Sequence, residues 1–169
     1  LGLKGMTFQC NLRADKVNSE LAQRLKAINV WLVHIGLESA NDRVLKGIGK
    51  NVTQEDNLKT LKILKEHSIK VYGFLMLYNA WETNDRLEYE TPEEVNNTLE
   101  FARICLRDKL IEYISWSITN PIIGSKLHDV AKKYGIESYN VKIGNYMRLP
   151  GISEQQMIDH VKQGMILQL

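Results

Sequence analysis

Hydrophobic and polar residues alternate with a period of two in three stretches of the chain: Met6–Arg13, Trp31–Glu38 and Ile111–Thr119. Successive side chains of a β-strand point to opposite faces, so each stretch predicts a strand with one apolar and one polar face. A fourth stretch, Ile69–Tyr78, is almost continuously apolar. That pattern is typical of a strand that is buried on both faces.

Helical spacing of apolar residues fills most of the chain between these strands. Thr53 and Thr91 each begin a capping pattern, with an acidic residue three positions later. Ser39, with Asp42 three residues later, predicts a cap for a short helix directly after the second strand. Strands that alternate with helices predict a parallel sheet.

Two segments do not fit this alternation. Asn79–Glu90 is polar and predicts a loop, long enough to belong to a functional site. Ser138–Leu149 predicts one short strand, and Ser153 predicts the cap of a last helix. We therefore expect residues 1–136 to form the main α/β unit and residues 137–169 to form a C-terminal extension.

The two-faced strands distinguish between the architectures that strand–helix alternation allows. An open parallel sheet is covered by helices on both faces, whereas in a barrel one face of each strand lines the lumen. We therefore predict a partial (βα) barrel, with an α+β sheet with one solvent-exposed face as the alternative. Four strands cannot close a parallel barrel of the usual kind, and the pattern at Met6 begins mid-alternation. We expect the barrel to be truncated at its N-terminus.

Composition is that of a globular protein, with 44% hydrophobic and 25% charged residues among 169. A formal charge of +2 gives no support for binding to nucleic acid or to an acidic membrane. No apolar run approaches the ~20 residues that span a bilayer. Cys10 and Cys105 lie far apart among apolar residues, which predicts two reduced thiols in a cytoplasmic protein.

The candidate site lies where polar residues collect near the carboxyl ends of the strands. Glu38 ends the second strand, Lys50 follows the short helix, and Gln9 and Arg13 lie on the polar face of the first strand. A carboxylate accepts hydrogen bonds from hydroxyls, a cation pairs with a carboxylate, and an amide can do either. Each residue also has an ordinary alternative, such as a surface charge or, for Arg13, a local pair with Asp15.

Five motifs follow one another in a characteristic order: FQCNLRAD, HIGLES, LKGIGKNVT, KVYGFLML and ITNPIIGSKLHD. In this order they resemble radical S-adenosylmethionine (radical SAM) enzymes. The resemblance is to the branch with cobalamin-binding, coproporphyrinogen-dehydrogenase-like and methylthiotransferase-like members, and it covers roughly Met6–Tyr134. It implies a partial (βα)6 barrel that holds S-adenosylmethionine (SAM) and a [4Fe–4S] cluster at the carboxyl ends of the strands.

The resemblance also implies roles for the candidate residues. By position, Glu38 would contact the ribose hydroxyls of SAM, Gln9 would have a similar role, and Lys50 would hold the SAM carboxylate. Arg13 is a second candidate partner for that carboxylate. The family further implies an electron donor of the flavodoxin or ferredoxin type, with cobalamin as a candidate second cofactor.

Two features depart from the family pattern. The CxxxCxxC motif whose thiolates hold the cluster is absent, so we expect this chain to bind no iron through its own cysteines. We expect that motif upstream of Leu1. A loop that usually has a Gly-x-Pro-Gly-Glu-Thr character reads LYNAWET here, and only Glu82–Thr83 remains of it.

We therefore predict part of a radical SAM catalytic domain, which supplies barrel wall and cofactor pocket and is inactive alone. One alternative is a non-catalytic α/β binding or assembly module. Another is a barrel hydrolase or lyase that uses Glu38 and His34 as acid and base. The strand at Met6–Arg13 would be an exposed edge, which favours self-association unless the tail Ser138–Leu169 covers it.

Overall fold

The computed structural model describes residues 5–140 and 144–169. Its strands are β1 (Phe8–Leu12), β2 (Val30–Glu38), β3 (Lys70–Leu77), β4 (Ala80–Thr83), β5 (Arg86–Tyr89), β6 (Tyr113–Ile118), β7 (Glu137–Asn140) and β8 (Gly144–Met147). Its α-helices are α1 (Ser19–Ala27), α2 (Asp42–Gly47), α3 (Gln54–Glu66), α4 (Pro92–Arg107), α5 (Lys126–Lys133) and α6 (Glu154–Ile166).

The four predicted strands form one parallel sheet in the order β1-β2-β3-β6. Val33 of β2 pairs with Cys10 of β1 on one side and with Val71 of β3 on the other. The strands follow the chain order across the sheet, so the predicted arrangement of adjacent parallel strands is confirmed.

The two faces of the sheet have different surroundings. One face packs against the helices, and its residues are buried: Val33, Ile35, Leu37, Val71, Leu75, Leu77, Ile114 and Trp116. The other face, which we call the open face, carries Gln9, Asn11, His34, Gly36, Glu38, Tyr72, Phe74, Met76, Ser115 and Ser117. Most of these residues are partly or fully exposed. The sheet therefore has one buried and one accessible side, and the accessible side carries the candidate residues.

Strand β3 differs from its prediction, because it is not buried on both faces. Tyr72 and Phe74 lie on the open face, and Phe74 remains 37% exposed. The ring centroids of Tyr72 and Phe74 lie 5.2 Å apart, and the ring centroid of His34 lies 5.2 Å from that of Tyr72. The apolar run in the sequence thus combines a buried face with an exposed aromatic stripe.

The helix starts at Thr53 and Thr91 are as predicted, because both residues form complete capping boxes. The predicted cap at Ser39 is wrong. Asn41 holds the N-cap position of α2 and makes no side-chain capping bond. The Ser39 hydroxyl is instead buried and donates to the Glu90 carboxylate, because a charged acceptor forms a stronger hydrogen bond than a neutral one.

The segment predicted as a polar loop, 79–90, folds into the hairpin β4–β5. The backbone N–H of Glu90 donates to the carbonyl of Asn79 at 2.8 Å. This hydrogen bond joins the residue before the hairpin to the residue after it. Asn84 and Asp85 have φ values of 51° and 56°. Two consecutive positive φ angles fit the two-residue turns that join twisted antiparallel strands.

The C-terminal segment differs from its prediction in two ways. Where one short strand was predicted within Ser138–Leu149, residues 137–147 contribute two antiparallel strands, β7 and β8, and residues 141–143 lie outside the described residues. Helix α6 packs against α4 and β6, and Gln168 bonds both the N–H and the carbonyl of Ile114. The tail therefore covers the β6 edge and not the edge at Met6–Arg13, for which it was the candidate cover. In the described part of the chain, β1 pairs with β2 alone.

Candidate functional site

Strand β2 ends in a tight turn centred on Glu38. The N–H of Ser39 donates to the carbonyl of Leu37 at 2.9 Å, and Glu38 has a φ of 64°. The pairing with β3 is irregular between Gly36 and Glu38, as in a β-bulge. A γ-turn with positive φ is rare and strained for a residue with a side chain. The backbone therefore sets the direction of the Glu38 side chain at the carboxyl end of the strand.

The Glu38 carboxylate folds back over Gly36 and pairs with Lys50, with 2.7 Å between Oε1 and Nζ. A Cβ atom at Gly36 would overlap this carboxylate and would lie 2.8 Å from the Lys50 ammonium. Glycine therefore makes room for the ion pair itself. The side chains of Glu38 and Lys50 are 16% and 19% exposed. Among the described residues, Oε2 of Glu38 and the other protons of Lys50 have no recorded partner.

Lys50 reaches the carboxylate from the loop that follows α2. Its N–H donates to the carbonyl of Leu45 at 2.9 Å, and Gly49 has a φ of 71°. This is a common way for a helix to end, with a left-handed residue just after the last turn. The helix terminus thus holds the loop that carries the cation.

Arg13 and Gln9 lie apart: Arg13 follows the end of β1, and Gln9 lies within β1 on the open face. The Arg13 guanidinium pairs with Asp15 at 3.0 Å and also points Nη2 at the carbonyl of Lys50, 3.5 Å away. Gln9 lies further down the sheet, where its Oε1 is 3.0 Å from Nε2 of His34. The structure therefore brings Arg13 close to the Glu38–Lys50 pair and keeps Gln9 with His34. No contact joins Glu38 to His34 in the described part of the chain, so the geometry does not support the acid–base alternative.

A second carboxylate, Glu90, lies fully buried behind the same strand ends. It accepts hydrogen bonds from the Ser39 hydroxyl at 2.8 Å, from the Asn79 side-chain amide at 3.0 Å and from the Asn79 backbone N–H at 3.2 Å. Burial raises the pKa of the Glu90 carboxyl, and these three hydrogen bonds act in the opposite direction.

The Glu90 network connects the ends of three strands with helix α4. Asn79, after β3, accepts a hydrogen bond from the hydroxyl of Thr119, after β6, at 3.0 Å. Thr98 of α4 accepts the backbone N–H of Ala40, after β2, at 3.1 Å. The network therefore fixes the positions of the loops that leave the carboxyl edge of the sheet.

Sequence reasoning missed Glu90, although a signal was present. Glu82–Thr83, the pair that was matched to the family loop, lies on β4, where Glu82 bonds Lys133 at 2.9 Å. The same dipeptide recurs as Glu90–Thr91, directly before Pro92 at the start of α4. The second pair, and not the first, returns to the ends of the parallel strands.

A cavity of about 580 Å³ adjoins the loop that leads to Lys50. Its apolar lining includes Ile48, Met76 and Trp81. Its polar lining includes Asn79, Glu82, Thr119, Lys126, Asp129 and Lys133. The Trp81 ring packs directly on Gly47, where a Cβ would overlap it, and the Arg43 guanidinium lies 5.0 Å from the ring centroid. A larger depression of about 1060 Å³, between α2 and α4, has none of the four candidate residues in its lining.

The described residues do not fit an iron–sulfur cluster. Among them no group of three or more His, Cys, Asp or Glu residues could hold a metal ion. Cys10 lies on β1 and Cys105 in α4, and burial raises the pKa of the Cys105 thiol to about 12. A thiol with that pKa is a poor source of the thiolate that a cluster needs.

Among residues 5–140 and 144–169, none of the helices has the length and apolar character of a membrane-spanning segment.

The described residues do fit SAM. A half-buried carboxylate suits vicinal hydroxyls, and a half-buried ammonium suits the carboxylate of an amino acid. Both lie at the carboxyl edge of a parallel sheet, where α/β barrels place their ligands. The fold and this pair of charges together are those of an α/β barrel with a candidate ligand site at the carboxyl ends of its strands.

The model of the Radical SAM superfamily matches residues 2–102, more than half of the chain. The chain therefore belongs to the radical SAM superfamily and forms part of a radical SAM catalytic domain, as the sequence predicted. Neither the non-catalytic module nor the hydrolase or lyase is favoured. The family implies SAM, a [4Fe–4S] cluster and a reductant that donates the electron.

Two curated relatives are similar to most of this chain. A Methanocaldococcus jannaschii protein provisionally named a methylthiotransferase is 26% identical over 149 residues, which cover 86% of this chain and 30% of the relative. An uncharacterised methyltransferase of Pyrococcus horikoshii is 28% identical over 127 residues, which cover 75% of this chain and 25% of the relative. The chain thus spans between a quarter and a third of the length of these relatives.

Solved structures of radical SAM enzymes share the fold. Coproporphyrinogen III oxidase from Escherichia coli matches with a TM-score of 0.64 at 13% identity, over 95% of this chain and 31% of the oxidase. The methyltransferase TsrM from Kitasatospora setae, with cobalamin and a [4Fe–4S] cluster bound, matches with a TM-score of 0.60 at 15% identity, over 92% and 30%. The predicted fold class, a partial (βα) barrel of the radical SAM type, is confirmed.

Proposed function

We propose that the protein containing this chain is a radical SAM enzyme that cleaves SAM reductively to start radical chemistry on a substrate. The observation that carries this proposal is the half-buried Glu38–Lys50 ion pair, which lies over Gly36 at the carboxyl ends of the strands. When bound, SAM and the cluster would supply the radical. Residues 1–136 would provide barrel wall and cofactor pocket, with 137–169 as an extension.

We assign Glu38 to the ribose hydroxyls and Lys50 to the carboxylate of SAM. In the ion pair each charge is balanced by the other, and SAM would offer each a replacement partner of the same chemical type. The exchange keeps both half-buried charges paired, which limits the cost of removing them from water. Arg13, already directed at the Lys50 carbonyl, is the second candidate for the SAM carboxylate.

Gln9 has a weaker case for contact with the ribose. Its amide oxygen is engaged with His34, below the ion pair on the open face. We propose that Gln9 contributes through this lower wall of the pocket. The cavity beside Lys50 supports a place for adenine, because Ile48, Met76 and Trp81 give it the apolar walls that a flat ring needs.

The reaction that we propose is transfer of a methyl or methylthio group. Both curated relatives carry names of this kind, one for methylthio transfer and one for methyl transfer. The fold shared with TsrM, whose structure contains cobalamin, makes cobalamin a candidate second cofactor of the full-length protein. We further propose a flavodoxin- or ferredoxin-type electron donor, with the cluster-binding cysteines in a part of the protein outside this chain. Two unpaired cysteines support a cytoplasmic location.

Titration calorimetry of SAM into the anaerobically reconstituted full-length protein tests the site. Glu38→Ala removes hydrogen bonds to a charged group, each worth about 1.5–3 kcal/mol, so the Kd for SAM should rise at least roughly tenfold. Glu112→Ala is the matched control, because Glu112 forms an ion pair of the same 2.7 Å length with Lys70 at the opposite end of the strands. Equal Kd values for wild type and Glu38→Ala would contradict the assignment.

A further inference from the structure

The turn at Glu38 requires a support, because its backbone conformation is unfavourable for a residue with a side chain. Glu38 has a φ of 64°, and the turn is closed by one hydrogen bond, from the Ser39 N–H to the Leu37 carbonyl at 2.9 Å. Strained conformations of this kind persist only where the surroundings hold them in place. The direction of the Glu38 carboxylate therefore depends on what holds the next residue.

Ser39 is held on every side and has no exposed surface. Its hydroxyl donates to Glu90 at 2.8 Å and accepts from the Asn41 side-chain amide at 3.0 Å. The same hydroxyl lies 3.2 Å from the hydroxyl of Thr98 in α4. Among these partners Glu90 is the one that carries a carboxylate, and hydrogen bonds to carboxylates are the stronger kind.

Glu90 is costly for the fold, since a buried carboxylate loses its hydration. Its second oxygen is occupied by both donors of Asn79, the side-chain amide at 3.0 Å and the backbone N–H at 3.2 Å. Asn79 is tied in turn to Thr119 at the end of β6. Glu90 thus connects the end of β2 rigidly to the ends of its neighbours, directly behind the turn.

We propose that Glu90 is a positioning residue for SAM: by holding Ser39, it fixes the turn that directs the Glu38 carboxylate towards the ribose hydroxyls. This inference rests on the function proposed above for Glu38. Glu90 has no exposed surface, so it acts through Ser39 and does not touch the ligand. Preorganised groups lose affinity when the residues that support them are loosened.

The test uses Glu90→Gln and Ser39→Ala in the reconstituted full-length protein, with two ligands. Glu90→Gln keeps the shape of the side chain and removes its charge, and Ser39→Ala breaks the same link from the other side. The Kd for SAM should rise roughly three- to tenfold in each variant. The Kd for the 2′,3′-dideoxy analogue of SAM should be unchanged, because that analogue has no hydroxyls for Glu38 to bind.

Coupling to Glu38 separates positioning from general destabilisation. On a Glu38→Ala background, Glu90→Gln should add no further loss of SAM affinity, since residues that act through one contact are not additive. Glu112→Gln is the control, because Glu112 pairs with Lys70 at the opposite end of the strands. It should leave the affinity for both ligands unchanged. Ser39→Ala decides the question if Glu90→Gln fails to fold.

Three outcomes would overturn the proposal, and they are distinguishable. If Glu38→Ala weakens SAM binding and both Glu90→Gln and Ser39→Ala do not, the positioning role is wrong and the function of Glu38 stands. Equal losses for SAM and for the dideoxy analogue would assign Glu90 a general structural role. If Glu38→Ala itself changes nothing, the function proposed for Glu38 fails, and the role of Glu90 fails with it.

Discussion

Glu38 and Glu90 are two carboxylates at the same edge of one sheet, and the chain surrounds them differently. Glu38 is half-buried and faces one cation, Lys50, at 2.7 Å, with its other oxygen unoccupied among the described residues. Glu90 has no exposed surface and is saturated by neutral donors from Ser39 and Asn79. One carboxylate can exchange its partner, whereas the other cannot.

This difference shows how a strained turn can position a carboxylate that binds a ligand. A carboxylate that binds a ligand must be accessible, and accessible groups cannot be locked by their own contacts. The fold places the rigid hydrogen bonds one residue away, on Ser39, and leaves Glu38 on the open face. If this division is correct, substitution of Glu90 should cost more stability than substitution of Glu38, and substitution of Glu38 should cost at least as much ligand affinity as substitution of Glu90.

The largest expected effect is on stability. Glu90→Ala leaves the donors of Ser39 and Asn79 buried without an acceptor, at about 1–3 kcal/mol for each unsatisfied group. We expect the free energy of unfolding to fall by about 3 kcal/mol or more. Glu38→Ala should change it by less than about 1 kcal/mol, because a partly exposed ion pair contributes little. Urea denaturation of the 169-residue chain measures the free energy of unfolding of both variants. Similar losses in the two variants would contradict the proposed difference between Glu38 and Glu90.

The second effect concerns Gly36, on which the ion pair lies. In Gly36→Ala the new Cβ overlaps the Glu38 carboxylate, so the pair must move away from the strand. We expect SAM affinity to fall roughly tenfold, because groups that bind a ligand must be held within about 0.5 Å of their productive positions. Gly135→Ala meets no atoms within 4 Å and has a φ of 62°, so it controls for an added methyl group and backbone strain outside the loop that carries Lys50. Calorimetry that finds full affinity in Gly36→Ala would show that the pair need not lie against β2.

Much of the fold could be predicted from the sequence, because the strands have a clear period of two and the helices have strong caps. The order β1-β2-β3-β6 and the starts at Thr53 and Thr91 follow from local signals. Hydrophobicity alone does not separate a buried face from an exposed aromatic stripe, which explains the error at Phe74. The hairpin was missed because Asn84–Asp85 was treated as polar loop and not as a two-residue turn.

The candidate site was only partly predictable for a different reason. Glu38 and Lys50 could be named from their positions at the ends of a strand and a helix, but their contact depends on how the side chain of Glu38 folds back over Gly36. Glu90 has partners that lie 51 and 11 residues away in the chain. The role of Glu90 arises from these tertiary contacts. The local sequence could not reveal it, because a surface glutamate that precedes a helix would have the same local sequence.

A third effect should appear at the end of β3, which also finishes in a left-handed residue. Tyr78 has a φ of 63° and is fully buried, with its hydroxyl 2.5 Å from Nδ1 of His160 in α6. Tyr78→Phe removes this hydrogen bond and should reduce the free energy of unfolding by about 1 kcal/mol. His160→Phe provides the control from the other partner. SAM affinity should be unchanged in Tyr78→Phe, and a clear loss would mean that the site extends to the contact with α6.

The smallest effect is the pH dependence that Glu90 contributes to stability. Burial raises the pKa of its carboxyl from the ordinary value of 4.5. Above 4.5, and up to the raised pKa, the folded chain therefore holds more protons at this site than the unfolded chain does. In that window the contribution of Glu90 to the free energy of unfolding falls as pH rises, and below 4.5 it is fully present.

Glu90→Gln cannot titrate, so wild type should lose stability relative to this variant as pH rises from about 4.5 towards neutrality. Urea denaturation at successive pH values measures the difference between the two chains, in which the titrations of the other groups cancel. Thr98→Val is the control, because it alters the same network without removing a titrating group. Its difference from wild type should stay constant with pH. A Glu90→Gln difference that is equally constant would mean that Glu90 titrates as it does in the unfolded chain, and the contrast with Glu38 would then rest on hydrogen bonding alone.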